Sequence, residues 1–326
     1  MGKLLSIKDL DVVFNTFDGI SRVLRGINLE INESEALGLV GETGSGKSVL
    51  SQSIMRLLPV SGEIVSGSIT FKGENLLGLS EKRMERLRGS GISMILQSPM
   101  TSLNPLFKVK DQMTEVIMTH SSIGKKEALK KAEELLKIVR VPEARSVLER
   151  YPFELSGGMA QRVMIAMAVS SNPALIIADE PTTALDVTVE KQIIKLMREI
   201  MEKSNSSLIW ISHDLDVVKQ VCERIAVMYG GTIVEIGDAK ELLSNPLHPY
   251  TKALIEARPS SIKRGKPLKS IDGFVPNMLK VPEGCIFESR CADCSERCCK
   301  GLPPELIKLD NGRMVACNKF SDTKTV

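Results

Sequence analysis

Alternating apolar and polar residues mark the beginning of the chain, at residues 4–14 and 23–31. This period of two is typical of strands with one buried face, and Asp18-Gly19 indicates a tight turn between the two segments. The pattern therefore predicts a pair of adjacent, antiparallel strands. Further strands are predicted at 36–40, 67–71 and 92–96, and helices at 48–58 and 80–88.

Strand patterns stop between residues 99 and 155, where Ser98-Pro99 and Asn104-Pro105 interrupt the chain. Helical periodicity in this region predicts an all-helical insertion, with helices at 111–119 and 125–139. Strands are predicted again at 175–178, 207–211 and 224–229, with helices between them. Alternation of strands and helices on this scale predicts an α/β fold, with a mostly parallel sheet covered by helices on both faces.

The composition, 25% charged and 43% apolar over 326 residues, is typical of a soluble globular protein long enough for two domains. The net charge of +3 is too small to indicate nucleic acid as a partner. No apolar run approaches the roughly 20 residues of a membrane span, and the N-terminus lacks the apolar segment of a signal peptide. We therefore expect a cytoplasmic protein that reaches a membrane only through a partner.

The segment from Gly41 to Ser48 fits the phosphate-loop pattern G-x-x-x-x-G-K-[ST], between a predicted strand and a predicted helix. Glycines let the backbone N–H groups curl around phosphate oxygens, and the following helix directs its positive end to the same place. We expect Lys47 to reach the β- and γ-phosphates of a nucleoside triphosphate and the Ser48 hydroxyl to bind Mg²⁺.

Two acids end an apolar strand further along the chain, Asp179 and Glu180. A carboxylate at the end of a buried strand is suited to holding Mg²⁺ through water, and we predict this role for Asp179. Glu180 is the candidate general base for the attacking water.

The stretch from Leu155 to Gly158, Leu-Ser-Gly-Gly, lies between these two motifs and resembles the signature of ATP-binding-cassette ATPases. The resemblance extends over residues 4–320. The segments 97–105 and 245–254 are similar to the ATPase subunits of bacterial dipeptide and oligopeptide importers, a branch in which Met159 commonly replaces the usual glutamine. The resemblance to these ATPases implies a P-loop ATPase cassette with a mostly parallel sheet, an N-terminal antiparallel β subdomain, a helical insertion and a small cysteine-rich C-terminal domain.

Further roles follow from this resemblance alone. Gln97 would sense Mg²⁺ or the γ-phosphate, His213 would be the switch histidine, and Phe14, with Phe17 close by, would stack on adenine. Ser156 and Gly158 would contact ATP held by the opposite subunit, and Asp186 would lie in the loop that faces that subunit. The predicted nucleotide contacts also include Gly41, Glu42, Thr43, Gly44, Ser45, Gly46, Lys47, Ser48 and Val49; Mg²⁺ would be held by Ser48, Gln97 and Asp179.

Six of the seven cysteines lie in the last 42 residues, which in a cytosolic chain favours metal binding over disulfides. Cys285, Cys291, Cys298 and Cys317 match a cysteine pattern of the importer subunits, and four thiolates suit a [4Fe-4S] cluster. Zinc is the alternative, because Cys291-x-x-Cys294 is a zinc half-site, and free or disulfide-bonded thiols are a third possibility. Cys294 and Cys299 depart from the pattern and leave the ligand set open.

The predicted domains are an ATP-binding core (residues 1–98 and 156–258), a helical subdomain (99–155), and a linker with a cysteine-rich metal-binding domain (259–326). The resemblance implies an ATP-hydrolysing subunit that powers import of dipeptides or oligopeptides from the cytoplasmic face of the cell membrane. Its partners would be a second ABC ATPase subunit, identical or not, two membrane permeases and, indirectly, an extracytoplasmic peptide-binding protein.

Three alternatives remain open at this point. The same subunit could serve a nickel or other small-solute importer, because the cassette itself does not touch the cargo. A soluble cassette protein acting on ribosomes or DNA is a second alternative, although many of those carry two cassettes or a long coiled-coil insertion. The third is a metal-cluster regulator with a degenerate ATPase, against which the intact Lys47, Asp179, Glu180 and His213 argue.

Overall fold

The computed structural model describes residues 2–183, 185–258 and 270–323. Its residues form two compact units. The first unit contains residues 32–35 and 79–211, and the second contains residues 3–31, 36–78 and the chain from residue 212 onward.

The strands, in chain order, are β1 (Lys3–Thr16), β2 (Gly19–Asn32), β3 (Ala36–Val40), β4 (Gly62–Phe71), β5 (Glu74–Asn75), β6 (Ile92–Ile95), β7 (Leu175–Asp179), β8 (Ser207–Ser212), β9 (Arg224–Tyr229), β10 (Thr232–Asp238), β11 (Ile307–Lys308) and β12 (Met314–Val315). The helices are α1 (Lys47–Met55), α2 (Glu81–Leu87), α3 (Pro99–Ser102), α4 (Val109–Thr119), α5 (Lys125–Ile138), α6 (Ala144–Leu148), α7 (Gly157–Val169), α8 (Val187–Ser204), α9 (Leu215–Val221), α10 (Ala239–Ser244), α11 (Pro249–Glu256) and α12 (Glu296–Lys300).

Strands β6, β7 and β8 of the first unit form a parallel sheet. Every residue of β7 and β8 is buried, which explains why they read in the sequence as continuous apolar runs rather than as alternating patterns. Helix α8 buries the stripe Ile193, Leu196, Met197 and Ile200, at the spacing of one helix face. The parallel arrangement predicted for this part of the chain is confirmed.

Residues 99–155, all of which are described, contain helices and 3-10 turns but no strand. The two longer helices, α4 and α5, begin and end within two residues of their predicted positions. Helix α5 buries Ala128, Ala132, Leu135 and Leu136 on one face, so its amphipathic pattern reflects real packing.

The second unit contains a sheet of order β2-β1-β4-β5, in which β1 and β4 are antiparallel. The predicted pairing of the first two strands is confirmed, and both strands are longer than predicted, at 14 residues each. In the same unit β3 is parallel to β9, and β10 continues from β9 as an antiparallel neighbour. Strand β10, which sequence reasoning missed, pairs in turn with β12, and β12 pairs with β11.

The predicted linker and cysteine-rich domain at 259–326 is described only in part, because residues 259–269 and 324–326 lie outside the described residues. Across the described ranges, none of the helices combines the length and the apolar character needed to cross a bilayer.

Candidate functional site

The phosphate loop connects β3 to α1 in the second unit, as predicted. Gly46 has a φ of +102°, and a Cβ there would lie 2.7 Å from Leu24 Cδ2. A Cβ at Gly41 would lie 2.2 Å from the backbone oxygen of Met228. The loop therefore needs glycine at both positions, because the backbone bends into a space that no side chain can share.

Lys47 lies across this loop and is 7% exposed. Its Nζ donates hydrogen bonds to the carbonyl oxygens of Gly41 and Glu42, at 2.8 and 2.9 Å, and to Ser45 Oγ at 3.3 Å. No side chain caps the start of α1, and its first turn contains no acid. Ser48 lies in this turn and is exposed. A positive helix end, an ammonium group and an exposed hydroxyl together form a suitable cradle for phosphate and Mg²⁺.

The two acids predicted for the site, Asp179 for Mg²⁺ and Glu180 as general base, lie at the end of β7 in the first unit. Asp179 is the last residue of the strand and is 7% exposed. Glu180 leaves the strand with a φ of +45°, and its N–H donates to the backbone oxygen of Ile211 at 3.0 Å. A positive φ is unusual for glutamate, so the chain turns sharply here and carries the carboxylate away from the sheet.

The structure brings Gln97 and Glu180 together, although 83 positions separate them. Gln97 Nε2 donates to Glu180 Oε2 at 2.9 Å, and Thr183 Oγ1 donates to the same oxygen at 2.9 Å. Sequence reasoning missed Thr183. Its position three residues after the acid, in a turn that follows a strand, was the available signal.

Ser156 and Asp186 both cap helices of the first unit. Ser156 Oγ accepts a hydrogen bond from the N–H of Met159 at the start of α7. Asp186 Oδ1 accepts from the N–H groups of Thr188 and Val189 at 3.0 Å each, at the start of α8. A Cβ at Gly158 would lie 2.8 Å from Val189 Cγ1, so the first turns of the two helices are in close contact.

His213 follows β8 directly and is exposed. The next residue, Asp214, caps α9 and donates its own N–H to Ser212 Oγ at 3.0 Å. His213 is therefore held by a short turn between a buried strand and a capped helix.

The two aromatic candidates for stacking on adenine differ in exposure. Phe14 lies on β1 and is half-buried, with its ring tip 3.1 Å from the point where a Cβ of Gly62 would stand. Phe17 lies in the turn after β1 and is fully exposed. The ring of Phe14 therefore contributes to packing in the β1–β4 sheet, whereas Phe17 does not.

The structure divides the six C-terminal cysteines into two groups. Cys285, Cys291, Cys298 and Cys317 line one cavity of 270 Å³ in the second unit. Cys294 and Cys299 are not among the residues that line it; both are exposed, and their Sγ atoms are 3.4 Å apart. Cys294 also contacts Cys298, one of the four cavity cysteines, through a side-chain hydrogen bond.

Burial changes the chemistry of these thiols. It raises the pKa of Cys285 to about 11, and it also raises the pKa of Cys291 and of Cys317. Within the described ranges, no group of three or more His, Cys, Asp or Glu side chains is arranged to hold a single metal ion. The four cavity thiols are therefore neighbours without forming a compact metal-ion site.

Two family models match the chain. The model for ABC transporters matches residues 24–183, and the model for the C-terminal region of oligopeptide/dipeptide transporters matches residues 234–298.

Curated relatives match over nearly the whole chain. The oligopeptide transport ATP-binding protein OppD of Escherichia coli (strain K12) is 45% identical over 316 residues, which is 97% of this chain and 93% of the relative. The dipeptide transport ATP-binding protein DppD of Bacillus subtilis (strain 168) is 45% identical over 312 residues, 95% of this chain and 93% of the relative.

Solved structures match the cassette. A dimeric, post-hydrolysis state of the ATP-binding cassette MJ0796, bound to ADP and Pi, superposes with a TM-score of 0.66 at 26% identity. That match covers 72% of this chain and 99% of the solved chain. The chain belongs to the ATP-binding-cassette transporter ATPases, in the group that carries the oligopeptide/dipeptide transporter C-terminal region.

Proposed function

We propose that this protein is the ATP-hydrolysing subunit that powers import of dipeptides or oligopeptides through a membrane transporter. The observation that carries the proposal is the similarity to peptide-transport ATP-binding proteins over 97% of the chain, including the C-terminal region at residues 234–298. A cassette match alone would leave the transported solute open.

The proposed reaction is hydrolysis of ATP at the phosphate loop. Lys47 and the N–H groups of the loop bind the phosphates, and Phe14 stacks on adenine. Ser48, Gln97 and Asp179 hold Mg²⁺, which supplies charge neutralisation when it is bound. Glu180 acts as general base toward water, and its hydrogen bonds to Gln97 and Thr183 support this role by fixing the direction of the carboxylate. His213 is the proposed switch residue.

The proposed assembly is a dimer of cassettes on two permeases, at the cytoplasmic face of the membrane. Ser156, Gly158 and Asp186 would face the nucleotide and loop of the second subunit. The uncapped first turn of α1 and the N-terminus of the 13-residue helix α7 are each suited to an anion. An extracytoplasmic peptide-binding protein would deliver the cargo to the permeases. The proposed domains are a core of residues 1–98 and 156–258, a helical subdomain of 99–155, and a C-terminal domain of 259–326.

We further propose that Cys285, Cys291, Cys298 and Cys317 hold a [4Fe-4S] cluster. The support is that these four thiols line one cavity of 270 Å³, from which Cys294 and Cys299 are absent. A zinc ion needs its thiolates about 2.3 Å from one point, whereas a cluster is larger and accepts ligands that stand further apart. When bound, the cluster would cross-link a tail that has few buried residues of its own.

The proposal is tested by purifying the tagged chain from detergent-solubilised membranes of its own organism. We expect it to recover a second cassette ATPase and two hydrophobic permeases, with ATPase activity that Lys47→Ala abolishes. Recovery with ribosomes, without permeases, would contradict the proposal. Recovery of a transporter that takes up nickel but not peptides would contradict the assigned cargo and leave the ATPase role intact.

A further inference from the structure

One arginine of the cysteine-rich region contacts the phosphate loop. Arg290 immediately precedes Cys291, and its side chain is only 3% exposed. Its Nη1 and Nη2 donate to Oε2 and Oε1 of Glu42, the second residue of the loop, at 2.7 and 3.1 Å. A planar guanidinium facing both oxygens of a carboxylate is a strong and directional form of ion pair.

The remaining donors of Arg290 are also used. Nη1 donates to Tyr229 Oη at 3.2 Å, Nη2 donates to the backbone oxygen of Ile271 at 3.0 Å, and Nε donates to that of Asp272 at 2.8 Å. An arginine has five N–H donors, and here each has an acceptor. The three hydrogen bonds to Tyr229, Ile271 and Asp272 therefore fix the orientation of the guanidinium independently of Glu42.

Glu42 is held by its backbone as well as by its side chain. Its N–H donates to Tyr250 Oη at 2.9 Å, and its carbonyl oxygen accepts from Lys47 Nζ at 2.9 Å. Tyr250 is buried against Tyr229 and Phe287, and Phe287 lies between Cys285 and Cys291 in the sequence. One loop residue thus connects the cysteine-rich region to the lysine that we expect to bind phosphate.

Arg290 compensates the negative charge of Glu42. A carboxylate in a phosphate-binding loop repels the phosphates of ATP, and the repulsion is strongest where burial reduces solvent screening. An arginine that binds both carboxylate oxygens neutralises this charge and also prevents the side chain from turning toward the nucleotide.

We infer that Arg290 is a positioning residue of the phosphate loop, through which the cysteine-rich region sets the affinity for ATP. The inference rests on the proposed nucleotide-binding role of the loop. It assigns to the C-terminal region a contribution to nucleotide binding that is separate from any metal it holds.

The test measures the dissociation constant of a non-hydrolysable ATP analogue with Mg²⁺ on the full-length chain by calorimetry. Arg290→Gln should raise this constant at least about tenfold, and Arg290→Lys should raise it less, because lysine keeps the charge but not the paired geometry. Adding Glu42→Gln to Arg290→Gln should recover most of the loss, since the uncompensated charge is then gone. A purely structural role for the ion pair predicts no such recovery.

Arg313→Gln is the matched control. Arg313 forms a buried ion pair with Glu235, also within the second unit, and their side chains are 2% and 0% exposed. We expect this variant to lower the thermal midpoint and to leave the dissociation constant within about twofold. Iron content and thermal midpoint are measured for each variant, so that loss of metal or of fold is recognised.

Three results would overturn the inference: an Arg290→Gln constant within twofold of the parent, an equal rise in Arg313→Gln, or no recovery on adding Glu42→Gln. If Arg290→Gln does not fold, Arg290→Lys is measured instead; because lysine keeps the charge but loses the paired geometry, a constant equal to that of the parent would overturn the inference as well. A parent chain that does not bind the analogue at all would contradict the proposed ATPase function itself, which keeps the two failures distinct.

Discussion

The side-chain amide of Gln97 donates a hydrogen bond of 2.9 Å to Oε2 of Glu180. Thr183 Oγ1 donates to the same oxygen at 2.9 Å, so two neutral donors from different segments orient one carboxylate. A general base requires a fixed direction as well as a proton-accepting oxygen. The contact also connects the segment that follows β6 to the residue that follows β7, so that a displacement of either segment would turn the carboxylate.

Replacing Glu180 by glutamine should reduce ATP hydrolysis at least about 100-fold, because the side chain keeps its shape but loses its proton acceptor. Binding of ATP should persist. The measurement is phosphate release under saturating ATP, together with the dissociation constant of ATP for the same preparation. Glu202→Gln, on the exposed face of α8, is the control and should retain full activity. Undiminished hydrolysis in Glu180→Gln would remove this residue from the role of base.

Gly158→Ala and Gly157→Ala should differ in stability. A Cβ at Gly158 would lie 2.8 Å from Val189 Cγ1, on a stiff β-branched side chain, whereas the nearest atom at Gly157 is 3.9 Å away. Overpacking of this kind costs about 1–3 kcal/mol, which lowers the thermal midpoint by several degrees. We expect Gly157→Ala to leave the midpoint unchanged or slightly higher, since alanine is the better helix former. Equal midpoints for the two variants would show that the α7–α8 contact is looser than described.

The two groups of cysteines should respond differently to substitution. Serine at any one of Cys285, Cys291, Cys298 or Cys317 should lower the iron and acid-labile sulfide of anaerobically purified protein to less than half. The double variant Cys294→Ser/Cys299→Ser should keep both, because these thiols lie outside the cavity. About four irons and four sulfides per chain are expected in the parent. A content of one zinc and no iron per chain would contradict the proposed cluster and indicate a structural zinc site instead. It would leave the ATPase assignment unchanged.

Acid should destabilise the second unit through His248. This side chain is 2% exposed, and burial lowers its pKa to about 3, against the smaller opposing effect of a hydrogen bond that the imidazole donates to the Ala316 backbone. Between pH 6.5 and 3 the unfolded chain therefore binds a proton that the folded chain does not, so the free energy of unfolding decreases as the pH falls through this window. Above pH 6.5 the contribution is fully present.

His248→Asn tests this prediction, because asparagine can still accept from the N–H of Tyr250 and so keeps the cap of α11 without titrating. Its free energy of unfolding should fall less steeply with acid than that of the parent, by up to about 1.4 kcal/mol per pH unit between pH 6 and 4. Identical slopes for the parent and His248→Asn would contradict a neutral buried histidine.

The core strands were predictable because they are buried on both faces. Strands β3, β7 and β8 have no exposed residue, and a strand that is buried on both faces needs apolar side chains at nearly every position. These strands therefore appear in the sequence as apolar runs. Strand β10 was missed because Glu235 interrupts its apolar pattern. The buried charge is stabilised by the backbone N–H groups of Leu247 and His248 and by Arg313, which lies 78 residues later in the chain. Sequence spacing cannot reveal such a partner.

Some features of the candidate site could likewise be predicted from the sequence, and others could not. Motif spacing indicated the phosphate loop and the two acids, since those residues are close together in the chain. Gln97 and Glu180 lie close together because β6 and β7 pair in parallel. Gln97 was suggested by the family resemblance and not by a local sequence pattern. Likewise, the cysteine spacing left six candidates, and only the three-dimensional arrangement separated the four that line the cavity from the exposed pair.

The most direct test of the central claim is ATP-driven uptake of labelled peptides into proteoliposomes that contain the transporter purified through this chain. We predict accumulation of di- or oligopeptides that requires ATP and the peptide-binding protein, and that disappears when Glu180→Gln replaces the parent chain. Full ATPase activity without peptide accumulation, in vesicles that contain the permeases and the binding protein, would contradict the assignment as a peptide-import ATPase.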